Sequence, residues 1–492
     1  MNPTEWEAPR ITPLEFNQLN KFGQRRVSSE TQDTIDGVPV ATLIEQFGSP
    51  LFVTSEARLR ANIRRMHQAF AAHGVNAIHG WSYKTNYTSA ICNVLHQEGS
   101  WAEVVSRFEY EKARRLGIPG QRILFNGPNK PRPILDRAIA EGAHLHVDHF
   151  DELAIIEDIA RCRGVPVPVA LRLNFDTGFT EPWSRFGFNL ESGQAREAIA
   201  KVKTSPHLQL VGLHSHIGTF ILDPRAYTAQ VNTLCALMQE IEADGSTRLD
   251  YLDIGGGLPS RNALQGIYLP PEQAVPELEE YTEAISTAFL KGTAYRLENG
   301  DQRPTLFFES GRAVVDDAQV LIASVVGRKL LPSGAPAVIL DAGINLLFTA
   351  FWYNHQVRLA APARGELRET VLYGPMCMNI DVVRQSAQLP PLALGDHLVI
   401  SPVGAYNNTQ WLQFIEYRPA VVMIHPDRTV SVIRSAEQLD DLCVYDHLPD
   451  HLSRIEDPLS LTLSPMNGGE GTKRLRAAAK PSSHRLPLRL AS

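Results

Sequence analysis

The chain has 492 residues, with 54 acidic against 47 basic side chains and a formal net charge of -7. That balance gives no electrostatic footprint for nucleic acid, and no run of about 18 apolar residues is present to span a bilayer. The length exceeds what one barrel needs, so a second domain is expected. The five cysteines, Cys92, Cys162, Cys235, Cys377 and Cys443, are scattered and form no CxxC pair, which argues against a disulfide framework or a structural zinc site. The N-terminus, MNPTEWEAPRITPLEF, carries acidic residues and no apolar signal core, so a cytoplasmic location is expected.

In chain order, residues 38–53 (VPVATLIEQFGSPLFV) read as a short helix, a Gly-Ser-Pro break and a strand. Ser55 caps the next helix, SEARLRANIRRMHQAFAAHG, which Gly74 stops. Between Asn76 and Arg312 come eight apolar, strand-like runs that end abruptly in polar or glycine residues: NAIHGWSYK, SWAEVVS, RILFNG, HLHVDH, VALRLN, LVGLHSHIG, LDYLDIGGG and TLFFESGR. Helical stretches such as RFEYEKARRLG, PRPILDRAIAEG and DELAIIEDIARCRG separate them, each with one apolar stripe and a terminal glycine. Alternating strands and helices imply parallel strands joined by crossovers, and eight units close a (β/α)8 barrel. After Arg312 the runs AVVDDAQVLIASVVGRK, APAVILDAG, RETVLYGP, HLVISPVGAY, AVVMIHP and TVSVIRS read as a C-terminal β domain. The expected organisation of this α/β protein is an N-terminal segment (1–54) packing with the β domain, a barrel (55–312), the β domain (313–455) and a basic disordered tail (456–492).

Chemistry in such barrels sits at the carboxyl ends of the strands. Lys84 ends the first run, where a desolvated amine of lowered pKa can form a Schiff base with an aldehyde or carbonyl; taken alone it is as well read as a snorkelling surface lysine. Three glycines, Gly255 to Gly257, follow the seventh run, where bare backbone N–H groups can approach a phosphate, and Arg312 adds a permanent cation. His214 and His216 share one face, but no third metal ligand sits at a convincing spacing, so one of them is better used as a neutral imidazole flat against a heteroaromatic ring, the alternative for His214 being a hydrogen-bonded core histidine. Glu309, after TLFF, suits a protonated pyridine nitrogen, the alternative being an ion pair with Arg312. Together these residues suit one phosphorylated, ring-bearing cofactor.

A dozen stations in order make the resemblance specific: YKTN, AEVVSRFE, FNGPNK, HVDH, LRLN, SRFG, HSHIGT, DIGGG, ESGR, DAG, YGPMCMNID and GAYN. Over residues 38–435 the chain resembles the fold type III pyridoxal-phosphate decarboxylases, the diaminopimelate and ornithine decarboxylase group, whose fold is alanine-racemase-like. The resemblance implies pyridoxal 5'-phosphate as cofactor, with Lys84 as its Schiff-base lysine and His216 on its ring. It also implies Thr219, Gly256, Gly257, Glu309, Ser310, Gly311, Arg312 and Tyr406 as cofactor-binding residues. Cys377, delivered by the partner subunit of a homodimer, would return a proton after carbon dioxide leaves. The implied activity is decarboxylation of an amino acid or amino-acid conjugate at its α-carboxylate.

Four departures bear on the substrate. EPGR is ESGR here, the usual glycine pair after the second run is Arg107 and Phe108, the acidic residue after the cysteine is Met378, although Asp381 remains nearby, and Thr349 stands where diaminopimelate decarboxylases carry a substrate-binding arginine. Losing an anion and a cation points away from meso-diaminopimelate. Trp352, Tyr353 and His355 are candidates for an altered pocket, and Arg358 for a compensating cation. The alternatives are diaminopimelate decarboxylase proper, a racemase or epimerase on the same fold, and a non-catalytic homologue.

Overall fold

The computed structural model of the protein describes residues 31–267 and 269–452. The start of the expected N-terminal segment and the expected tail lie outside them. The eight runs form the strands Ile78–Ser82, Trp101–Val104, Ile123–Phe125, His144–Val147, Val167–Asn174, Leu208–Ser215, Tyr251–Asp253 and Thr305–Phe308. Each pairs in parallel with the next, and Phe307 of the eighth lies opposite Ile78 of the first, so the barrel closes.

The outer helices follow from local signals. Ser55 Oγ accepts the Arg58 N–H at 3.0 Å and starts helix Glu56–Ala72, which buries Leu59, Ile63, Met66 and Phe70 at a spacing of three or four residues. Ser106 caps Arg107–Arg115 in the same way, and Gly164, at φ 70, ends Phe150–Arg163 in the left-handed region.

Side chains alternate along each strand, and the barrel interior is therefore layered. Trp101, Leu124, His144, Ala170, Gly212, Tyr251 and Phe307 occupy one set of strand positions, and the aromatic rings among them pack closely, with Trp101 and Phe307 centroids 5.0 Å apart. Two residues further along each strand the set is polar: Glu103, Asn126, His146, Arg172, His214, Asp253 and Glu309, all buried. The apolar floor supports this polar layer at the carboxyl end.

The second sheet runs in the order Val382–Leu389, Arg368–Tyr373, Pro336–Leu340, Gln319–Leu330, Leu51–Ser55, Val421–Ile424, Val430–Arg434. His397–Ser401 also pairs with Gln319–Leu330 and carries Gln356–Leu359 beyond it. The segment after Arg312 is helical before it becomes strand: Arg312–Val315 and Asp316–Ala318 are turns of helix, because the buried Asp316 carboxylate holds Ser260 and the Ala405 N–H there. The described residues up to Glu437 form one compact unit, and those from Gln438 onward form another. In the latter, Gln438 caps a short helix, Leu439–Cys443, and Asp450–Leu452 forms a further turn. Among the described residues no helix is long and apolar enough to cross a membrane.

Candidate active site

A cavity of about 770 Å³ opens over the polar layer. Lys84, His216, Thr219, Gly256, Gly257, Glu309, Gly311, Arg312, Tyr353 and Tyr406 all line it, so the sequence-predicted set converges on one place. Ser310 is buried immediately behind, its carbonyl held by His79 Nε2 at 2.8 Å.

Lys84 lies on a turn of 3-10 helix after the first barrel strand, its carbonyl fixed by the Thr409 hydroxyl at 2.9 Å. Its Nζ donates to Glu103 Oε2 at 2.6 Å, and the Ser82 hydroxyl donates to the same oxygen at 2.5 Å. The expected lowered pKa is not what this geometry gives. Burial works against the ammonium, but Glu103, Glu309 and Tyr406 outweigh it and hold the amine above its ordinary value. Glu103 is thus the group positioned to take the proton when the amine reacts.

His216 accepts the Gly256 N–H on Nδ1 at 2.9 Å. The ring is neutral, since burial first and then the charge of Arg172 lower its pKa well below the ordinary value. Trp183 stands edge-on to it at 5.2 Å. The glycine run leaves no room for side chains. A Cβ at Gly255 would lie 2.7 Å from His216 Nδ1, and one at Gly256 would lie 2.6 Å from the Glu309 carbonyl oxygen. Gly255 donates to Asp253 and Gly256 to His216, which leaves the Gly257 N–H as the amide of this loop without a partner among the described residues.

Arg312 is 9% exposed, and its Nη1 has no hydrogen-bond partner. The guanidinium lies over the rings of Tyr406, Tyr353 and Phe220 at 4.7, 5.3 and 5.6 Å, and forms no ion pair with Glu309. A buried, unpaired cation beside a free amide and a side-chain-free loop fits a phosphate monoester. Glu309 instead accepts from Asn126 at 2.6 Å and stands 3.4 Å from His214 Nε2. Burial, then the adjacent Glu309, push the Asp253 carboxyl well above the ordinary range, so Asp253 is the protonated member of the pair. The Glu309 carboxyl group facing the cavity is placed to meet a protonated pyridine nitrogen. The residues present therefore fit pyridoxal phosphate at both of its charged ends.

His146, His214, Asp253 and Glu309 bring their polar atoms within 4.8 Å of one another, a composition that could ligate a metal. Both nitrogens of His146 are engaged, Nδ1 with Asn126 at 2.5 Å and Nε2 with the Tyr251 hydroxyl at 3.1 Å.

Not every expected residue reaches the cavity. Thr349 is buried, its hydroxyl 2.9 Å from both His355 Nε2 and Asn407 Oδ1, so it does not line this cavity, and His355 is likewise turned inward. Asp381 accepts the Ile344 and Met376 N–H groups, each at 2.8 Å, and shapes the backbone of that loop rather than the cavity wall. Met378 packs on the core of the β domain, Cys377 is exposed, and neither lines this chain's cavity. Arg358 is outside it as well; the arginines that line it besides Arg312 are Arg172 and Arg185. Arg107 and Phe108 begin a helix, Arg107 pairing with Glu111 at 2.7 Å. Glu103, Asn126, Arg172 and Asp253 escaped sequence reasoning, although each lies two positions after a floor residue and the alternation of the strands marks all four.

A closed barrel with a lysine, a neutral histidine, a side-chain-free glycine loop and a buried arginine around one cavity points to the class of barrel enzymes that use pyridoxal phosphate. Residues 56–316 match the family described as "Pyridoxal-dependent decarboxylase, pyridoxal binding domain". Diaminopimelate decarboxylase of Archaeoglobus fulgidus is 31% identical over 434 residues, 85% of this chain and 98% of the relative, and that of Bacillus subtilis is 29% identical over 439, 86% and 97%. The crystal structure of the M. jannaschii diaminopimelate decarboxylase in complex with L-lysine superposes with a TM-score of 0.77 at 27% identity, covering 87% of this chain and 99% of that one. The chain belongs to the fold type III pyridoxal-phosphate-dependent decarboxylases, and it is an amino-acid decarboxylase.

Proposed function

We propose that this decarboxylase removes the α-carboxylate of an amino acid or amino-acid conjugate other than meso-diaminopimelate, in a homodimer whose two copies share their active sites. Pyridoxal phosphate, when bound, supplies the electron sink that lets the bond to the carboxylate break. Lys84 would hold the cofactor's aldehyde, with Glu103 beside it to receive the amine's proton. His216 supports the ring face, Gly257, Thr219 and Arg312 hold the phosphate, with Ser310, Gly311 and Tyr406 around it, and Glu309 keeps a proton on the ring nitrogen. After carbon dioxide departs, Cys377 of the partner subunit or Lys84 returns a proton to the α-carbon.

The observation that carries the substrate reading is the position of Thr349. Its hydroxyl is committed to His355 and Asn407, so it brings no charge to the cavity. The carboxylates that line the cavity, Glu103 and Glu309, are engaged by Lys84 and Asn126, which leaves neither for a distal ammonium. Trp183, Phe220, Trp352 and Tyr353 supply aromatic wall instead. The second reading, diaminopimelate decarboxylase proper, is favoured by the named relatives, which align over most of their length. Carbon dioxide release from diaminopimelate, lysine, ornithine, arginine and N-conjugated amino acids separates the two, and strong turnover of diaminopimelate overturns the first.

A further inference from the structure

Asn126 directly follows the third barrel strand, with its side chain inside the barrel and 2% exposed. Its Nδ2 donates to Glu103 Oε1 at 2.9 Å and to Glu309 Oε1 at 2.6 Å, so one amide spans the two carboxylates. Its Oδ1 meets His146 Nδ1 at 2.5 Å, and His146 Nε2 meets the Tyr251 hydroxyl at 3.1 Å.

The direction of every proton in this chain is determined. An amide turned the other way would set its carbonyl against two carboxylates, so the NH2 group faces them. The carbonyl then requires a proton on His146 Nδ1. The imidazole is neutral, because burial and the neighbouring His214 lower its pKa, and Nε2 therefore accepts from the tyrosine. Tyr251, His146 and Asn126 thus form a relay of donors that terminates on two acids.

Two carboxylates in one buried site ordinarily share a proton, because like charges repel strongly where water is excluded. Here each receives its own N–H from Asn126, and Glu103 also receives Lys84 and Ser82. We propose that Asn126 is a positioning residue that bridges Glu103 and Glu309 and fixes their orientation, tying the amine end of the cofactor site to its ring-nitrogen end. The inference rests on the reading that Lys84 and Glu309 face those two ends. The titratable groups around the amide are Lys84 and Glu103, His146 and His214, and Asp253 and Glu309, with Arg172 as a permanent cation nearby.

The test uses full-length protein with pyridoxal phosphate, and Asn126→Leu and Asn126→Asp beside the wild type. The readouts are the cofactor's Kd, the pH midpoint of its visible absorption, and the melting temperature of the cofactor-free protein. Asn126→Leu removes both donors and is expected to weaken the cofactor by about tenfold or more and to move the absorption midpoint by about one pH unit or more. Asn126→Asp adds an acid to Glu103, Glu309 and Asp253, so its deficit against the wild type is expected to grow by about tenfold between about pH 6 and about pH 9. An unmoved midpoint in the leucine variant, together with a pH-independent deficit in the aspartate variant, would reduce Asn126 to a packing role and overturn the proposal, whatever happens to the melting temperature. A wild type that binds cofactor without an absorption band near about 420 nm would instead remove the Lys84 assignment on which the inference rests.

Discussion

The Thr349 hydroxyl lies 2.9 Å from His355 Nε2, and the two side chains close on each other inside the protein. His355 Nδ1 faces the Pro402 carbonyl at 2.9 Å and must donate to it, so Nε2 can only accept and shares the single threonine proton with Asn407 Oδ1, which lies at 2.9 Å. Thr349→Val keeps the shape and removes that proton. It is expected to cost about 1 to 3 kcal/mol of stability by leaving buried acceptors unpaired. Cofactor affinity is expected to stay within about twofold, since the residue is off the cavity wall. Urea denaturation and a cofactor titration of the same samples check both halves.

The pH dependence of stability follows from the same ring. Burial pushes His355 down to about 4, so the folded ring stays neutral where the unfolded one, at about 6.5, takes up a proton. The contribution of a depressed group is complete above about pH 6.5 and is lost as pH falls towards about 4. For His355 this amounts to about 2 kcal/mol between pH values of about 8 and about 5. His355→Gln, which does not titrate, should flatten the stability profile by that amount relative to the wild type. Identical slopes in the two proteins would show that the ring is not buried neutral.

Gly256 is required for a reason of space. Its missing Cβ would fall 2.6 Å from the Glu309 carbonyl oxygen, a backbone atom that cannot yield without displacing the eighth strand end. Gly256→Ala is expected to weaken pyridoxal phosphate by about ten- to hundredfold, with a fold that still melts cooperatively. Fluorescence titration of the cofactor measures the first effect and calorimetry the second.

The shared-site arrangement predicts complementation. Lys84→Ala and Cys377→Ala should each be nearly inactive alone. Mixed and allowed to exchange subunits, they should recover up to about a quarter of wild-type activity, because half the molecules are mixed dimers with one intact site each. A mixture as inactive as its parents would place Cys377 outside the neighbour's chemistry.

Much of this was legible in the chain. The eight runs became eight strands because each is short, apolar and stopped by glycine or a polar residue. Lys84, His216, Gly257, Glu309 and Arg312 were visible because strand ends are where barrel chemistry collects. The charge state of Lys84 was not legible, since it depends on Glu103 from a neighbouring strand and local sequence carries no record of which acid will face an amine. Thr349 misled for the opposite reason. Its place in the sequence matches a substrate contact, but its environment is decided by His355 and by Asn407, whose carbonyl comes from a loop 58 residues away.

The strand Leu51–Ser55 sits between Gln319–Leu330 and Val421–Ile424 in the second sheet. One of the earliest described segments to leave the ribosome is therefore held by two strands that follow the whole barrel. During synthesis the barrel can assemble from contacts between neighbours in the sequence, while this strand waits with both edges open until Gln319–Leu330 is made and with one edge open until Val421–Ile424 follows. A message cut short before Val421 would yield a product that contains every barrel strand of the cofactor site and still leaves one β edge bare. Aggregation, more than lost chemistry, is the expected fate of such a fragment.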